Sequence, residues 1–247
     1  MSELLKKERE LVLPGEPIVS SLDYLPGKNC FREGNAILSK KVGVVSIANR
    51  VIAVIPLNSV YLPRVGDMVI GQVVDITSNG WIIDISAPYE AYLPLSGIRE
   101  FIDTTKTDLS RIFAKDDLVY AKVAIATPYT LHVSLLDLKA RKLRGGRILP
   151  INPAKVPRLI GKEGSMITMI KDRAGSRISV GQNGLVWVEG GDDSLVLKAI
   201  ELIESEPFAE GLTERIDKLL GGAAPGHVSE PMPHEASVPK LSPEEEY

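Results

Sequence analysis

The sequence has few of the residues from which many catalytic and metal sites are built. Its 247 residues include one cysteine, Cys30, and three histidines. A single cysteine excludes an internal disulfide and cannot by itself make a thiolate zinc site. The longest apolar runs, such as VVSIA, are far shorter than the ~18–20 residues that span a bilayer. The charged N-terminus lacks the apolar core of a signal peptide, so we expect a cytoplasmic protein without a membrane partner.

Charge is distributed unevenly along the chain. The net charge is −3, yet residues 139–177 carry eleven Lys and Arg against two Asp and Glu, a net of +9. Residues 1–138 carry a net of −2, and residues 178–247 carry a net of −10. A local excess of this size creates a positive field that the overall balance does not cancel. The block indicates either a phosphate-bearing partner or a solvated linker.

The first half of the chain is predicted to be all β. Val- and Ile-rich segments between Gly, Pro and Asn turns predict a small β domain over residues 1–60. Residues 61–138 contain five short strands with apolar residues at alternate positions and a hairpin turn at Asn79-Gly80. This strand count predicts a five-stranded OB barrel, although another small β barrel or sandwich would have the same count.

Residues 139–220 follow a different pattern. After a basic linker, a strand leads to two short helices, a hairpin with Asn183-Gly184 at its turn, and an amphipathic helix. The order is β-α-α-β-β-α, so the predicted fold class is multidomain, β in its first two parts and α+β in its third. Residues 221–247 are rich in Pro, Gly and Ser and end in acidic residues, which predicts a disordered acidic tail.

The two short helices are joined by the loop Gly161-Lys162-Glu163-Gly164. Glycine has no Cβ, so another chain can approach its backbone closely. The N-terminus of the following helix favours an anion, and Lys162 adds a positive charge at the tip. The loop therefore predicts a clamp for a phosphate backbone, and the alternative is a plain corner between two helices.

The stretch PRLIGKEGSMITMIKDRAGSRISV resembles the KH family in its type I topology. In that family the glycine loop holds about four nucleotides of single-stranded RNA. The resemblance implies RNA contacts from Gly161, Lys162 and Gly164, with Glu163 departing from a doubly basic loop. It also implies flanking phosphate contacts from four basic residues: Arg158, Lys171, Arg173 and Arg177.

The stretch VGDMVIGQVVDITSNGWIIDI, with YLPLS and VSLLD downstream, resembles the RNA-binding OB fold named after a ribosomal small-subunit protein. In such barrels a positive groove follows the RNA backbone while aromatic side chains stack on bases. The resemblance implies base stacking by Trp81, with Tyr92 or Tyr89 as a second stacking residue. The alternative for Trp81 is a core position at a strand end. Pro94 stands where many relatives have a histidine, so one familiar RNA contact is missing.

The order of the predicted domains resembles the RNA-binding cap subunits of the archaeal exosome. The resemblance covers roughly residues 5–220. It implies single-stranded RNA and ring-forming nuclease subunits as partners, with three copies on a ring that the N-terminal domain contacts. A sister cap protein carries a zinc ribbon, which a chain with one cysteine cannot form.

Two other functions remain open from the sequence. The first is a transcription or translation factor with OB and KH domains. The second is a self-sufficient ribonuclease, which would need positioned carboxylates with a metal, or a basic cluster that holds phosphate. The three histidines, His132, His227 and His234, are spread over a predicted strand and the tail and predict no shared site. We therefore predict no catalytic residue, no metal and no cofactor.

Overall fold

The computed structural model describes residues 3–100, 108–205 and 212–221. The predicted disordered tail, residues 221–247, lies outside the described residues except for Gly221. The N-terminal part consists of eight short strands: β1 (Glu3–Leu4), β2 (Leu11–Val12), β3 (Pro17–Ser20), β4 (Leu25–Pro26), β5 (Cys30–Glu33), β6 (Ala36–Ser39), β7 (Gly43–Ala48) and β8 (Val51–Pro56). They form two four-stranded sheets, in the orders β1-β3-β6-β5 and β2-β7-β8-β4. Their apolar side chains share one core, which includes Ile18, Ile37 and Ile52.

The next five strands close into a barrel: β9 (Met68–Thr77), β10 (Gly80–Asp84), β11 (Ala91–Pro94), β12 (Leu118–Ala126) and β13 (Leu131–Ser134). β9 pairs with β10 and β12, β10 pairs with β11, and β13 joins β11 in parallel and β12 in antiparallel. Side chains alternate between the two faces of a strand, so Val119, Ala121 and Val123 of β12 point into the core. The predicted five-stranded OB-type barrel is confirmed.

A sixth strand extends the barrel sheet where the sequence predicts a basic linker. This strand, β14 (Arg141–Leu143), pairs antiparallel with Leu118–Tyr120 of β12. Leu143 is buried, whereas Arg141 is exposed. The first part of the positive block is therefore fixed to the barrel by backbone hydrogen bonds and does not hang between domains.

The third part has the predicted order β-α-α-β-β-α, followed by one more helix. Its elements are β15 (Arg147–Pro150), α1 (Val156–Ile160), α2 (Ser165–Ala174), β16 (Arg177–Val180), β17 (Leu185–Glu189), α3 (Asp193–Ser205) and α4 (Leu212–Leu220). The strands form an antiparallel sheet in the order β15-β17-β16. The sequence did not predict α4, although its Ile216 and Leu220 are fully buried in the same core as α2 and α3. The predicted KH domain is confirmed.

The β16–β17 hairpin locks this domain onto the barrel. The side-chain amide of Asn183 donates hydrogen bonds to the carbonyl oxygens of Ile70 (2.7 Å) and Ile85 (2.8 Å). Its oxygen accepts a hydrogen bond from the Ile70 N–H at 3.2 Å. A small apolar cluster of Ile70, Leu143 and Trp187 adjoins this contact. Because Asn183 is buried and satisfies three backbone groups of the barrel, the two domains have a defined relative position.

Candidate nucleic-acid interface

The loop between α1 and α2 has a backbone that only glycine adopts easily at two positions. Gly161 ends α1 with φ 74°, and a Cβ added to it would lie 2.7 Å from Met166 Cβ. Gly164 has φ 83°, but an added Cβ would meet only Ile167 Cγ2, at 4.0 Å. Gly161 is therefore needed for packing within the chain. The backbone at Gly164 faces open space, where another molecule can approach it.

The N-terminus of α2 lies beside this open backbone. Gly164 is the N-cap residue, and no side chain caps the helix. Ser165 is the first residue of the helix. Because no side chain caps this end, the positive end of the helix dipole can favour an anion here, and Lys162 is exposed on the same loop.

A groove of about 580 Å³ runs from this loop toward the barrel. Its floor is apolar and its rim is basic; the lining residues are Tyr120, Lys139, Arg141, Ile160, Ile167, Lys171, Ser176, Arg177, Ile178, Ser179 and Val180. None of these described lining residues is acidic, while four are Lys or Arg. An apolar floor can hold the faces of bases, and the cations can hold phosphates.

The two predicted cations in this groove differ in their surroundings. Burial lowers the pKa of Lys171, and the nearby charge of Arg141 lowers it further. Arg177 has an 83% exposed side chain, and its Nη1 lies 3.4 Å from Glu189 Oε2. An exposed ion pair of this kind contributes little and is easily exchanged. Arg177 is thus available to another anion, and Lys171 lies deeper against the protein.

The structure places the other two predicted basic contacts away from the groove. Arg173 Nη2 donates a hydrogen bond to Asp217 Oδ1 of α4 at 2.9 Å. Arg158 does not line the groove; burial lowers its pKa, and the charge of Arg9 in the N-terminal domain lowers it further. Neither Arg158 nor Arg173 is among the residues that line the groove.

The prediction that Trp81 stacks on a base is wrong. Its side chain is fully buried in the barrel core, and its ring meets that of Phe113 edge-on at 5.3 Å between centroids. The indole N–H donates a hydrogen bond to the carbonyl oxygen of Phe113 at 3.0 Å. With its polar atom satisfied and its faces covered, the ring is a core element.

Tyr92 does lie on the outside of the barrel. It is half-buried on β11, opposite Ile82 of β10 and His132 of β13. The Tyr92 and His132 rings are 5.5 Å apart with an angle of 60° between their planes. These three side chains form an apolar and aromatic row across three strands, which is a suitable platform for a base.

Several groove residues do not follow from the motif alone. Lys139, Arg141 and Tyr120 belong to the barrel or to the segment after it, yet they face the KH domain. The signal in the sequence was the positive block, which begins at Lys139. The alternation of Ile82 and His132 with buried neighbours is a second signal, because it places both side chains on the outer face of the barrel. The predictions made from the sequence do not use it.

Residues 60–124 match the family described as RRP4, S1 domain, and residues 147–205 match the family described as KH domain. A relative named exosome complex component Rrp4 from Thermococcus kodakarensis is 46% identical over 227 residues, covering 89% of this chain and 88% of the relative. One with the same name from Methanothermus fervidus is 40% identical over 220 residues, covering 88% and 97%. The chain belongs to the Rrp4 family.

A solved structure agrees with the family membership. The crystal structure assigned to an exosome complex RNA-binding protein has a TM-score of 0.59 and 28% sequence identity. The match covers 66% of this chain and 97% of the other. The Rrp4 family thus accounts for the barrel and the KH domain together. The alternative of a transcription or translation factor is not favoured.

Within residues 3–100, 108–205 and 212–221, no group of three or more His, Cys, Asp or Glu side chains could hold a metal ion. None of the helices in this described part is long and apolar enough to cross a membrane.

Proposed function

We propose that this chain is a non-catalytic RNA-binding subunit of a cytoplasmic exosome. It caps a ring of nuclease subunits and guides single-stranded RNA into the central pore for 3′-to-5′ degradation. The relatives are named as exosome components, and one similar structure is assigned to an exosome RNA-binding protein. The observation that carries the RNA-binding role is the groove, because its basic rim without carboxylates adjoins an open glycine backbone.

RNA binding divides between the two domains. In the KH domain, the backbone at Gly161 and Gly164 and the charge of Lys162 hold one stretch of phosphates, while Lys171 and Arg177 hold the next. On the barrel, Tyr92 stacks on a base. Phosphate contacts and stacking accept any base. We therefore expect RNA binding that depends little on the base sequence and weakens as the salt concentration rises.

The N-terminal domain offers a surface for the ring. Leu11 of β2 and Ile55 of β8 lie on either side of the buried Val44 of β7, and the side chains of Leu11 and Ile55 are about half exposed. Leu13, Leu22 and Leu25 of the same domain are also exposed. Where exposed apolar side chains form a contiguous patch, they mark a surface that another protein covers. We propose that this domain contacts the nuclease ring, with three copies of the chain per complex.

Catalysis is assigned to the ring and not to this chain. His132 belongs to the aromatic row on the barrel, and the described carboxylates do not meet in a group suited to a metal. Purified chain incubated with labelled RNA, phosphate and Mg²⁺ should leave the RNA intact. Turnover that follows the chain through purification would overturn this assignment.

The RNA-binding role is tested by fluorescence anisotropy with a labelled 15-nucleotide single strand. We expect tighter binding to the single strand than to the same sequence as a duplex. The logarithm of the association constant should fall linearly with the logarithm of salt concentration, because bound phosphates release counterions. No measurable binding at low salt would contradict the role. Native mass spectrometry with the ring subunits tests the partners and the copy number separately.

A further inference from the structure

The KH groove has a wall that does not come from the KH domain. Lys139 and Arg141 lie before β15, and Arg141 begins β14, the sixth strand of the barrel sheet. Tyr120 of β12, which is paired with Arg141, lines the same groove. The opposite side is formed by the ends of α1 and α2 and by β16. The barrel therefore supplies two cations to a groove whose floor belongs to the other domain.

Contacts across the domain junction hold this wall in place. Arg141 Nη2 donates a hydrogen bond to Ser179 Oγ of β16 at 2.9 Å, and its guanidinium lies 5.8 Å from the centre of the Trp187 ring. The Tyr120 hydroxyl donates to the carbonyl oxygen of Val180 at 3.1 Å. A planar guanidinium fixed by one N–H still has other N–H groups free for an anion. Arg141 is thus ordered before any ligand binds.

Arg141 also faces a second cation. Lys171 of α2 lines the same groove, and its pKa is lowered by burial first and by the charge of Arg141 second. Two positive charges close to one another repel, and the charge of Asp172, which raises the pKa of Lys171, has a smaller effect than that of Arg141. None of the described residues that line the groove is a carboxylate. An anion between them would relieve the repulsion and gain charge-assisted hydrogen bonds from both.

We propose that Arg141 and Lys171 form one phosphate site that spans the barrel and the KH domain. Its ligand is a backbone phosphate of single-stranded RNA, with Lys139 at its edge. This rests on the proposed function, which places RNA in the groove. An RNA strand that leaves the glycine loop would then continue directly onto residues of the barrel. RNA binding by the KH domain would depend on the barrel for half of this site.

The test compares Arg141→Gln with Arg144→Gln in the full chain. Arg144 is three residues away and exposed, and it lines a separate cleft that contains Asp116 and Asp117. Both variants remove one positive charge from the same segment. We expect Arg141→Gln to weaken binding of the 15-nucleotide strand by about tenfold, the usual effect of losing a hydrogen bond to a charged group. It should also lower the salt slope by about 0.7, the value for one phosphate of a single strand.

A double-mutant cycle with Lys171→Gln then tests the shared site. If one phosphate is held by both cations, the double variant should lose less affinity than the sum of the two single losses. Arg141→Lys should retain most of the affinity, which separates loss of charge from loss of the Ser179 contact. Thermal unfolding of each variant confirms that it is folded.

The outcomes separate this inference from the proposed function. Equal, small losses for Arg141→Gln and Arg144→Gln would overturn the composite site. So would additive losses for Arg141→Gln and Lys171→Gln. In either case RNA binding that still depends on Gly164 would leave the proposed function in place. Absence of RNA binding by the unchanged chain would overturn both.

Discussion

Two glycine-containing corners of this molecule behave in opposite ways. At Asn79-Gly80 the chain turns between β9 and β10 and carries the next side chain, Trp81, into the closed barrel core. At Gly161–Gly164 the chain turns between α1 and α2 and leaves its own backbone at the surface beside a basic groove. Both stretches resemble RNA-binding motifs. Only the second exposes the group that the motif uses.

The difference lies in which part of the chain makes the contact. A backbone clamp is specified locally, since glycines with positive φ fix where the N–H groups point whatever the rest of the domain does. The direction of an aromatic side chain on a strand depends on which face the barrel closes over. A large aromatic ring stabilises a core strongly when it is buried. When both faces of a strand carry apolar side chains, the ring is therefore placed on the buried face. A glycine loop is therefore the more dependable sign of a binding site.

The largest effect should come from Trp81→Ala. Removing a fully buried indole leaves a cavity and costs about 3–5 kcal/mol of unfolding free energy. Urea denaturation measures this loss. Tyr129→Ala is the matched control, because that ring is 96% exposed and its loss should change stability little. If Trp81→Ala proved as stable as the control and lost RNA affinity, the ring would be a surface platform.

Gly164→Asp tests the other corner. A negative charge at the open backbone should weaken binding of single-stranded RNA by about tenfold or more, since it repels the phosphates that the loop holds. Anisotropy titration of the full chain measures the change. Gly15→Asp in the N-terminal domain is the control, because Gly15 has a similar φ of 82° and nothing within 4 Å of an added Cβ. Equal affinity for the two variants would reduce the loop to a structural corner.

A smaller effect is expected on the outer face of the barrel. Tyr92→Leu keeps an apolar side chain but removes the ring, and one stacked base contributes about 1–3 kcal/mol. We expect the affinity for RNA to fall about fivefold, near the lower end of that range, because Tyr92 is only partly exposed. Tyr24→Leu, at a half-buried tyrosine of the N-terminal domain, is the control. An unchanged affinity in Tyr92→Leu would leave the barrel without an aromatic contact.

The sequence predicts the parts of the fold that depend on local patterns. Two kinds of pattern predict the barrel strands and the order of elements in the KH domain. One is the alternation along β12 with glycines at turns, and the other is the spacing of Met166, Ile167 and Ile170 on α2. The role of Trp81 could not be predicted in this way. Trp81, Ile82 and Ile83 are all apolar, so alternation does not show which face of β10 points inward.

Other features depend on contacts between distant residues. Arg141 reaches the KH groove only because β14 pairs with β12 and Ser179 lies across the junction. In the sequence, Asn183 is part of an ordinary hairpin turn. In the structure, its side chain makes hydrogen bonds with three backbone groups of the barrel. The separation of Arg173 from the groove follows from α4, whose Asp217 it meets. Such tertiary pairings leave no local pattern in a single sequence.

The most direct measurement is photo-crosslinking of the full chain to single-stranded RNA that contains 4-thiouridine, with the crosslinked peptides identified by mass spectrometry. We expect crosslinks in the segments 139–141 and 160–180, which contain the groove and its glycine loop. Crosslinked peptides from the barrel should contain residues near Tyr92, and Trp81 should not be a crosslinked residue. Crosslinks at saturating RNA that avoid both groove segments would contradict the placement of RNA in the KH groove.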